Sequence, residues 1–294
     1  MLFRSASGQD PAHWEAMDDA ARRAYLAPFF AGGHDVIVAR RHFTDAATDT
    51  SGRAGSGTLS VAEHRVYTHL AVASMHDLYR ANRWVRYVAV FQNWLRPAGA
   101  SFDHLHKQLV GIDERGVTSE LELQKVRANP NLYNEMGVDY AAYQGLLVAS
   151  NEHAVAFAGF GHRYPTLEVY STSATPEPWL MGREEVDAVS DLIHALHAAT
   201  GADVPSNEEW HHRPLGVDQP MPWHVTLKWR VSTLAGFEGG TKIYLNTIDP
   251  WVLRDRVVGR LEDLRADRLV APMAVGEECP TTPNRLRYNP VLGR

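Results

Sequence analysis

The chain has 294 residues, with 29 Lys+Arg against 35 Asp+Glu, a formal net charge of −6. With 45% hydrophobic and 22% charged residues it has the profile of a globular protein, and its length suits two domains or one large one. The acidic balance argues against a nucleic-acid partner, which needs clustered Lys and Arg, and no apolar run reaches the ~18–20 residues of a membrane span. The N-terminus, MLFRSASGQDPAHW, is too polar for a signal peptide. A single cysteine, Cys279, excludes an internal disulfide and a cysteine-based zinc finger, and fits a reducing cytoplasm. The unusual feature is 15 histidines in one chain.

In chain order, residues 1 to 30 have helical composition, interrupted by Gly32-Gly33, and His34–Ala39 reads as a strand. A Gly/Ser/Thr-rich loop spans Thr48 to Thr58. Ser60-x-x-Glu63 is a capping box, followed by Tyr67, Leu70, Ala71, Ser74 and Leu78 at helical spacing. On that helix His64, His69 and His76 are expected to be solvated or at the rim. Arg86–Phe91 and Phe102–Ile112 read as strands joined by the turn-rich Leu95–Ser101. Residues 114–150 read as helical or irregular and hold the candidate boundary, dividing the chain into 1–135, 136–276 and a Pro-rich tail, 277–294. In the second half a strand pair (Ala154–Phe160, Leu167–Ser171) leads to a helix from Arg183 to Ala199. A His/Trp-containing loop and two strands, Trp223–Trp229 and Lys242–Leu245, come next. Asp249-Pro250 caps a last helix. The tail from Glu277 is expected to wrap the surface or meet a partner.

The segment richest in chemistry is Asp103-His104-Leu105-His106-Lys107-Gln108. In a strand, alternation sends His104, His106 and Gln108 to one face and Leu105 and Lys107 to the other. Upstream, Arg96-Pro-Ala-Gly-Ala-Ser101 offers small residues, backbone N–H groups, a hydroxyl and a guanidinium, a suitable lining for phosphate. Near neutral pH an imidazole is largely unprotonated and nucleophilic toward phosphorus. By itself, however, His-x-His is equally a chance pair in a His-rich chain or a metal clamp.

The longer stretch Val88–Gln108 (VAVFQNWLRPAGASFDHLHKQ), with Phe-x-Asn, then small residues with Ser, then His-x-His-x-Gln, resembles the active-site hairpin of galactose-1-phosphate uridylyltransferases of the histidine-triad superfamily. Weaker similarity covers Val36–Phe43, Asn151–Ala158, Trp210-His-His-Arg-Pro and the segment from Trp223, so that it spans roughly residues 30 to 270. The resemblance implies an α+β fold of two tandem modules, each a mostly antiparallel sheet with helices on one side. It implies a nucleotidyltransferase working through a covalent nucleotidyl-histidine, transferring a UMP-type group between a nucleotide sugar and a sugar phosphate. His106 matches the nucleophile, His104 the preceding histidine, and Gln108 the glutamine that marks transferases. Asn93 and Ser101 match polar positions near nucleotide and phosphates. Arg96, by its place in the loop, is a candidate for phosphate charge. A homodimer, no organic cofactor, no nucleic acid and no membrane complete the expectation.

The chain also departs from that family. There is no C-x-x-C, so His42 and His104 stand as half of the expected zinc site. Glu122, His224 and one of His211 and His212, with His212 preferred, resemble ligands of a second metal, zinc or iron. Thr226 stands where a further histidine is expected. The sugar-binding Tyr-Glu pair reads Thr241-Lys242, and Lys242 suits a phosphate. The resemblance further implies a first module that starts late, with a sheet edge covered by residues 1–30, by the tail from Glu277 or by a second subunit. Two other readings stay open: a phosphorylase or adenylyltransferase of dinucleoside polyphosphates, which shares His-x-His-x-Gln, and a nucleotide-binding relative without turnover.

Overall fold

A computed structural model describes residues 15–30, 33–49 and 52–290. Its strands form one nine-stranded antiparallel sheet in the order β1-β3-β2-β7-β8-β6-β5-β4-β9. The strands are β1 (Gly33–Val38), β2 (Tyr87–Trp94), β3 (His106–Ile112), β4 (Leu147–Ser150), β5 (Ala154–Gly159), β6 (Thr166–Ser171), β7 (Ser206–His211), β8 (His224–Trp229) and β9 (Ala274–Val275). The fold is α+β, as expected. Strands of the first and second halves meet at β2 and β7, where Asn93 faces Asn207 and Phe91 faces Glu209. The 135/136 division lies inside a π-helical turn, Asn134–Val138.

The helices are α1 (Asp19–Phe30), α2 (Val61–Ala81), α3 (Gly116–Ala128), α4 (Asp139–Tyr143), α5 (Arg183–Thr200), α6 (Gly236–Thr241) and α7 (Pro250–Ala266). Three of them layer one face of the sheet: α2 on β1, β3 and β2; α5 on β5, β6 and β8; α7 on β4, β5 and β9. Local chemistry sets where these begin. Ser60 Oγ accepts from the Glu63 amide at 3.2 Å while Glu63 Oε2 accepts from the Ser60 amide at 2.8 Å, the reciprocal capping box read from the sequence. Asp249 Oδ1 likewise accepts from the Val252 amide at 2.8 Å. The core lies between this helical layer and the sheet, with Ala71, Met75, Leu105, Leu109, Val189, Leu192 and Leu196 fully or almost fully buried.

Several expectations change. The N-terminal helix is α1, from Asp19, and residues 1–14 of the stretch read as helical lie outside the described ones. Lys242–Leu245 is not a strand but an exposed segment after α6. The His/Trp-containing loop is β7, and β4 lies inside the stretch read as helical or irregular. Both were hidden because their neighbours, not an alternating pattern, bury them. His64 is fully buried rather than at the rim, its Nδ1 2.8 Å from Ser190 Oγ. His69 reaches Asp187 at 2.8 Å and His76 stacks along Trp179. The tail does wrap the surface, but at the other end of the sheet from β1. The Leu286 amide donates to Asn134 Oδ1 at 2.9 Å and Tyr288 Oη donates to the Pro130 carbonyl at 2.8 Å. Among the described residues no strand pairs with the outer side of β1, where Val36 and Val38 are about half exposed.

Candidate active site

The sheet's second face carries the site. Across β3 the alternation places His106, Gln108 and Val110 there, while Lys107 and Leu109 enter the helix-side core. The strand begins only at His106, and residues 101–104 form a bend instead of the strand expected from Phe102. His104 is nevertheless held close. Its Nε2–H donates to the Ala39 carbonyl at 2.7 Å, and its own carbonyl accepts from His106 Nδ1–H at 2.8 Å. A carbonyl can only accept, so the proton of His106 sits on Nδ1 and the lone pair on Nε2. The ring is 2% exposed and stacks on Phe102 at 4.0 Å between centroids, which fixes its orientation.

The loop from β2 to β3 differs in one respect from its expected role. The Ala98, Gly99 and Ala100 amides donate to the Leu95 and Arg96 carbonyls, closing a tight turn on themselves. Leu95 at φ 65° and Gly99 at φ 90° bracket it, the first a backbone state that a branched side chain rarely adopts. Those three N–H groups are therefore spent on the turn itself, while Ser101 and Arg96 are exposed. Asn93 Oδ1 accepts from Asn207 Nδ2 at 2.7 Å, and the same Nδ2 donates to the Ala98 carbonyl at 2.7 Å. Asn207 on β7, which the sequence reading missed along with its strand, thus ties the loop to the sheet.

His42 and His104 lie 4.4 Å apart between ring centroids, but no third His, Cys, Asp or Glu joins them at ligand spacing among the described residues. Two donors fall short of the four that structural zinc takes. The second cluster is Glu122, His211 and His224, whose ligand atoms all lie within 4.8 Å of one another. His212, the preferred sequence candidate, is not part of it. Adjacent residues on a strand point to opposite faces, so His212 turns to the helix side, where its Nε2 hydrogen-bonds with Tyr79 Oη at 2.9 Å. There burial, then His224, pushes its pKa down to about 3. In the cluster itself the residues fit a zinc or iron ion. His224 donates Nδ1–H to the Pro222 carbonyl at 3.1 Å and so turns an unprotonated Nε2 outward, and burial followed by His224 and Lys228 holds His211 neutral. Thr226, one same-face position beyond His224, keeps a buried hydroxyl with no partner.

Lys242 is not brought to the His106 group. It is exposed at the end of α6, its Nζ on the Gly239 carbonyl at 2.8 Å. The segment after it rests on the β5–β6 connection, through Tyr244 with Arg163 and Asn246 with the His162 carbonyl. Four strand spacings, roughly 19 Å, separate β3 from β6.

A family profile described as a domain of unknown function (DUF4921) matches residues 2–288. A curated relative, ADP-glucose phosphorylase of Arabidopsis thaliana, is 24% identical over 231 residues, 74% of this chain. The chain spans 62% of that relative's length. Similar solved structures include a galt-like protein from Arabidopsis thaliana (18% identity, 77% of this chain and 75% of that one, TM-score 0.64). An ADP-glucose phosphorylase from Arabidopsis thaliana with bound ADP-glucose matches at 17% identity over 77% and 72%, TM-score 0.64. A uridylyltransferase matches at 19% over 79% and 77%, TM-score 0.64. The resemblance read from the hairpin therefore holds for the fold, and no described helix is long and apolar enough to cross a membrane.

Proposed function

The chain belongs to the DUF4921 family, and for it we propose nucleotidyl transfer between a nucleoside diphosphate sugar and a phosphorylated acceptor through a covalent adduct on His106. The observation that carries the reading is the Nδ1–H bond from His106 to the His104 carbonyl, which presents an unprotonated Nε2 beside Gln108. Nε2 attacks the α-phosphorus, the bond to the bridging oxygen breaks, and the sugar phosphate departs with the electron pair. That leaving group is a phosphate monoester whose second pKa is near 6, so it departs without a proton donor. The positive charge gained by the ring is spread toward the His104 carbonyl. In the second half, an oxygen of the phosphorylated acceptor attacks the same phosphorus and the P–N bond breaks. Gln108 donates its amide hydrogens to the phosphoryl oxygens but cannot titrate, so it stabilises the adduct without activating water. Arg96 and Ser101 are assigned to phosphate charge and Asn93 to the nucleotide.

Glu122, His211 and His224 would hold a divalent ion, zinc or iron, that pins α3 to β7 and β8. His106 needs no metal for its attack. Lys242 is assigned to a second copy, since it lies far from His106 in its own chain.

The similarity to ADP-glucose phosphorylase favours a second form of the same chemistry, with an adenylyl group and inorganic phosphate as acceptor. Incubation with UDP-glucose, ADP-glucose and diadenosine tetraphosphate, followed by intact-mass measurement, decides among them. The expected result is one adduct of UMP or AMP mass, absent in His106→Ala and discharged by sugar phosphate or phosphate. No adduct from any donor, or one that survives His106→Ala, overturns the proposal and leaves the binding-only reading.

A further inference from the structure

Between α3 and strands β2 and β7 the second face of the sheet opens into a cleft of about 520 Å³, within the range of small-molecule sites. We propose that this cleft binds the sugar-phosphate reactant within the same chain, with Arg230 on the phosphate and Glu209 on the sugar hydroxyls. The inference rests on the nucleotidyl-transfer reading above and adds the subsite that its acceptor and leaving group would occupy.

Arg230 is prepared for an anion. Its Nη1 donates to Asn207 Oδ1 at 2.8 Å, and its guanidinium lies over the Tyr164 ring at 4.5 Å. These contacts hold the fork in place while its buried Nε has no partner. Side-chain contacts use one of its donors, and among the described residues no carboxylate pairs with it. A fixed, unpaired guanidinium with donors to spare is what a phosphate requires. Its place is also right, because Asn207 links Arg230 to Asn93 and to the Ala98 carbonyl of the loop that flanks His106.

Glu209 defines the other half of the ligand. It lies two residues beyond Asn207 on β7, about 7 Å away along the strand, and faces Phe91 in register. Its Oε2 accepts from Lys228 Nζ at 2.5 Å, leaving Oε1 for the cleft. A carboxylate repels a second phosphate and accepts from hydroxyls, and the Phe91 ring offers an apolar surface for C–H groups. A phosphate-binding guanidinium at one end and a hydroxyl-accepting carboxylate at the other match a phosphorylated hexose better than a polyphosphate.

Calorimetry on the donor-free protein, with glucose 1-phosphate and inorganic phosphate as probes, tests this. Arg230→Ala is expected to weaken both by about tenfold or more, and Arg230→Lys by less. Glu209→Gln is expected to weaken glucose 1-phosphate and leave inorganic phosphate unchanged. Unfolding midpoints of the variants establish that each is folded; if Arg230→Ala is not, Arg230→Lys and Glu209→Gln carry the test. Glucose 1-phosphate binding that ignores all three substitutions, or no binding to the wild type, overturns the proposal. Equal affinity for both probes with no effect of Glu209→Gln overturns its sugar half. The His106 adduct is read separately. An adduct with no Arg230-dependent binding refutes this inference alone, and Arg230-dependent binding with no adduct refutes the transfer reading alone.

Discussion

At the scale of single residues, the histidines divide by where their protons go. His106 and His224 each give Nδ1–H to a backbone carbonyl two residues earlier, and so each presents Nε2. The same local device thus leaves an unprotonated Nε2 both on the ring proposed to attack phosphorus and on the ring proposed to hold a metal. Other histidines are buried neutral. Burial, then His194, pushes His64 well below its ordinary value of 6.5, and burial pushes His212 to about 3. Below about pH 6.5 the unfolded chain takes up protons that the folded chain refuses, so stability falls as the pH drops, by at most about 1.4 kcal/mol per pH unit per site. The thermal midpoint is therefore expected to fall between about pH 7 and about pH 5, and less steeply in His64→Leu. A midpoint that is flat over that window contradicts this account.

Between elements, the strand that carries His106 is anchored from behind. Lys107 is 1% exposed and is ion-paired with Glu208 of β7, its Nζ 5.1 Å from the Trp210 ring centroid and 5.3 Å from that of Tyr67. Glu208 also accepts from His197 of α5 at 2.8 Å and from Trp210 Nε1 at 2.5 Å. Burial alone would raise the carboxyl's pKa, but Lys107 and His197 outweigh it and hold the group well below the usual range. One carboxylate thus fastens β3, β7 and α5 together. Removing one partner of such a buried pair leaves a charge uncompensated, so Lys107→Met is expected to cost about 3–5 kcal/mol in denaturant unfolding. Adding Glu208→Gln should restore part of that loss. A change below about 1 kcal/mol for Lys107→Met would show that the network contributes little.

Across the whole molecule, a continuous sheet with helices on one side leaves the other face for ligands. The tail and the Tyr133 turn cover that face in the second half, where Tyr133 packs against His224, Tyr170 and Tyr288. The Glu122–His211–His224 cluster joins α3 to the sheet beside the cleft. An ion bound there in the folded state alone stabilises it by mass action. Addition of zinc or ferrous iron is expected to raise the thermal midpoint of the metal-free wild type. Glu122→Ala and His224→Ala should abolish the increase, whereas His212→Asn should retain it. A rise that persists without His224 would place the ion elsewhere.

The hairpin motif from Val88 to Gln108 and the Ser60 and Asp249 helix caps were legible in the amino-acid sequence alone, because each depends on residues close together in the chain. The α+β character followed from the resemblance that this motif carries. What only the tertiary structure decided lies on β7. Ser206–His211 is too polar to read as a central strand, because Lys107, His197 and Trp210 satisfy Glu208 from distant parts of the chain and neighbouring strands cover both its edges. Once β7 is a strand, alternation sends Asn207, Glu209 and His211 to the ligand face and His212 to the core. The sequence singled out His106 as the proposed nucleophile by local pattern; which histidine joins Glu122 and His224, and where the cleft lies, depended on strand pairing between residues more than a hundred positions apart.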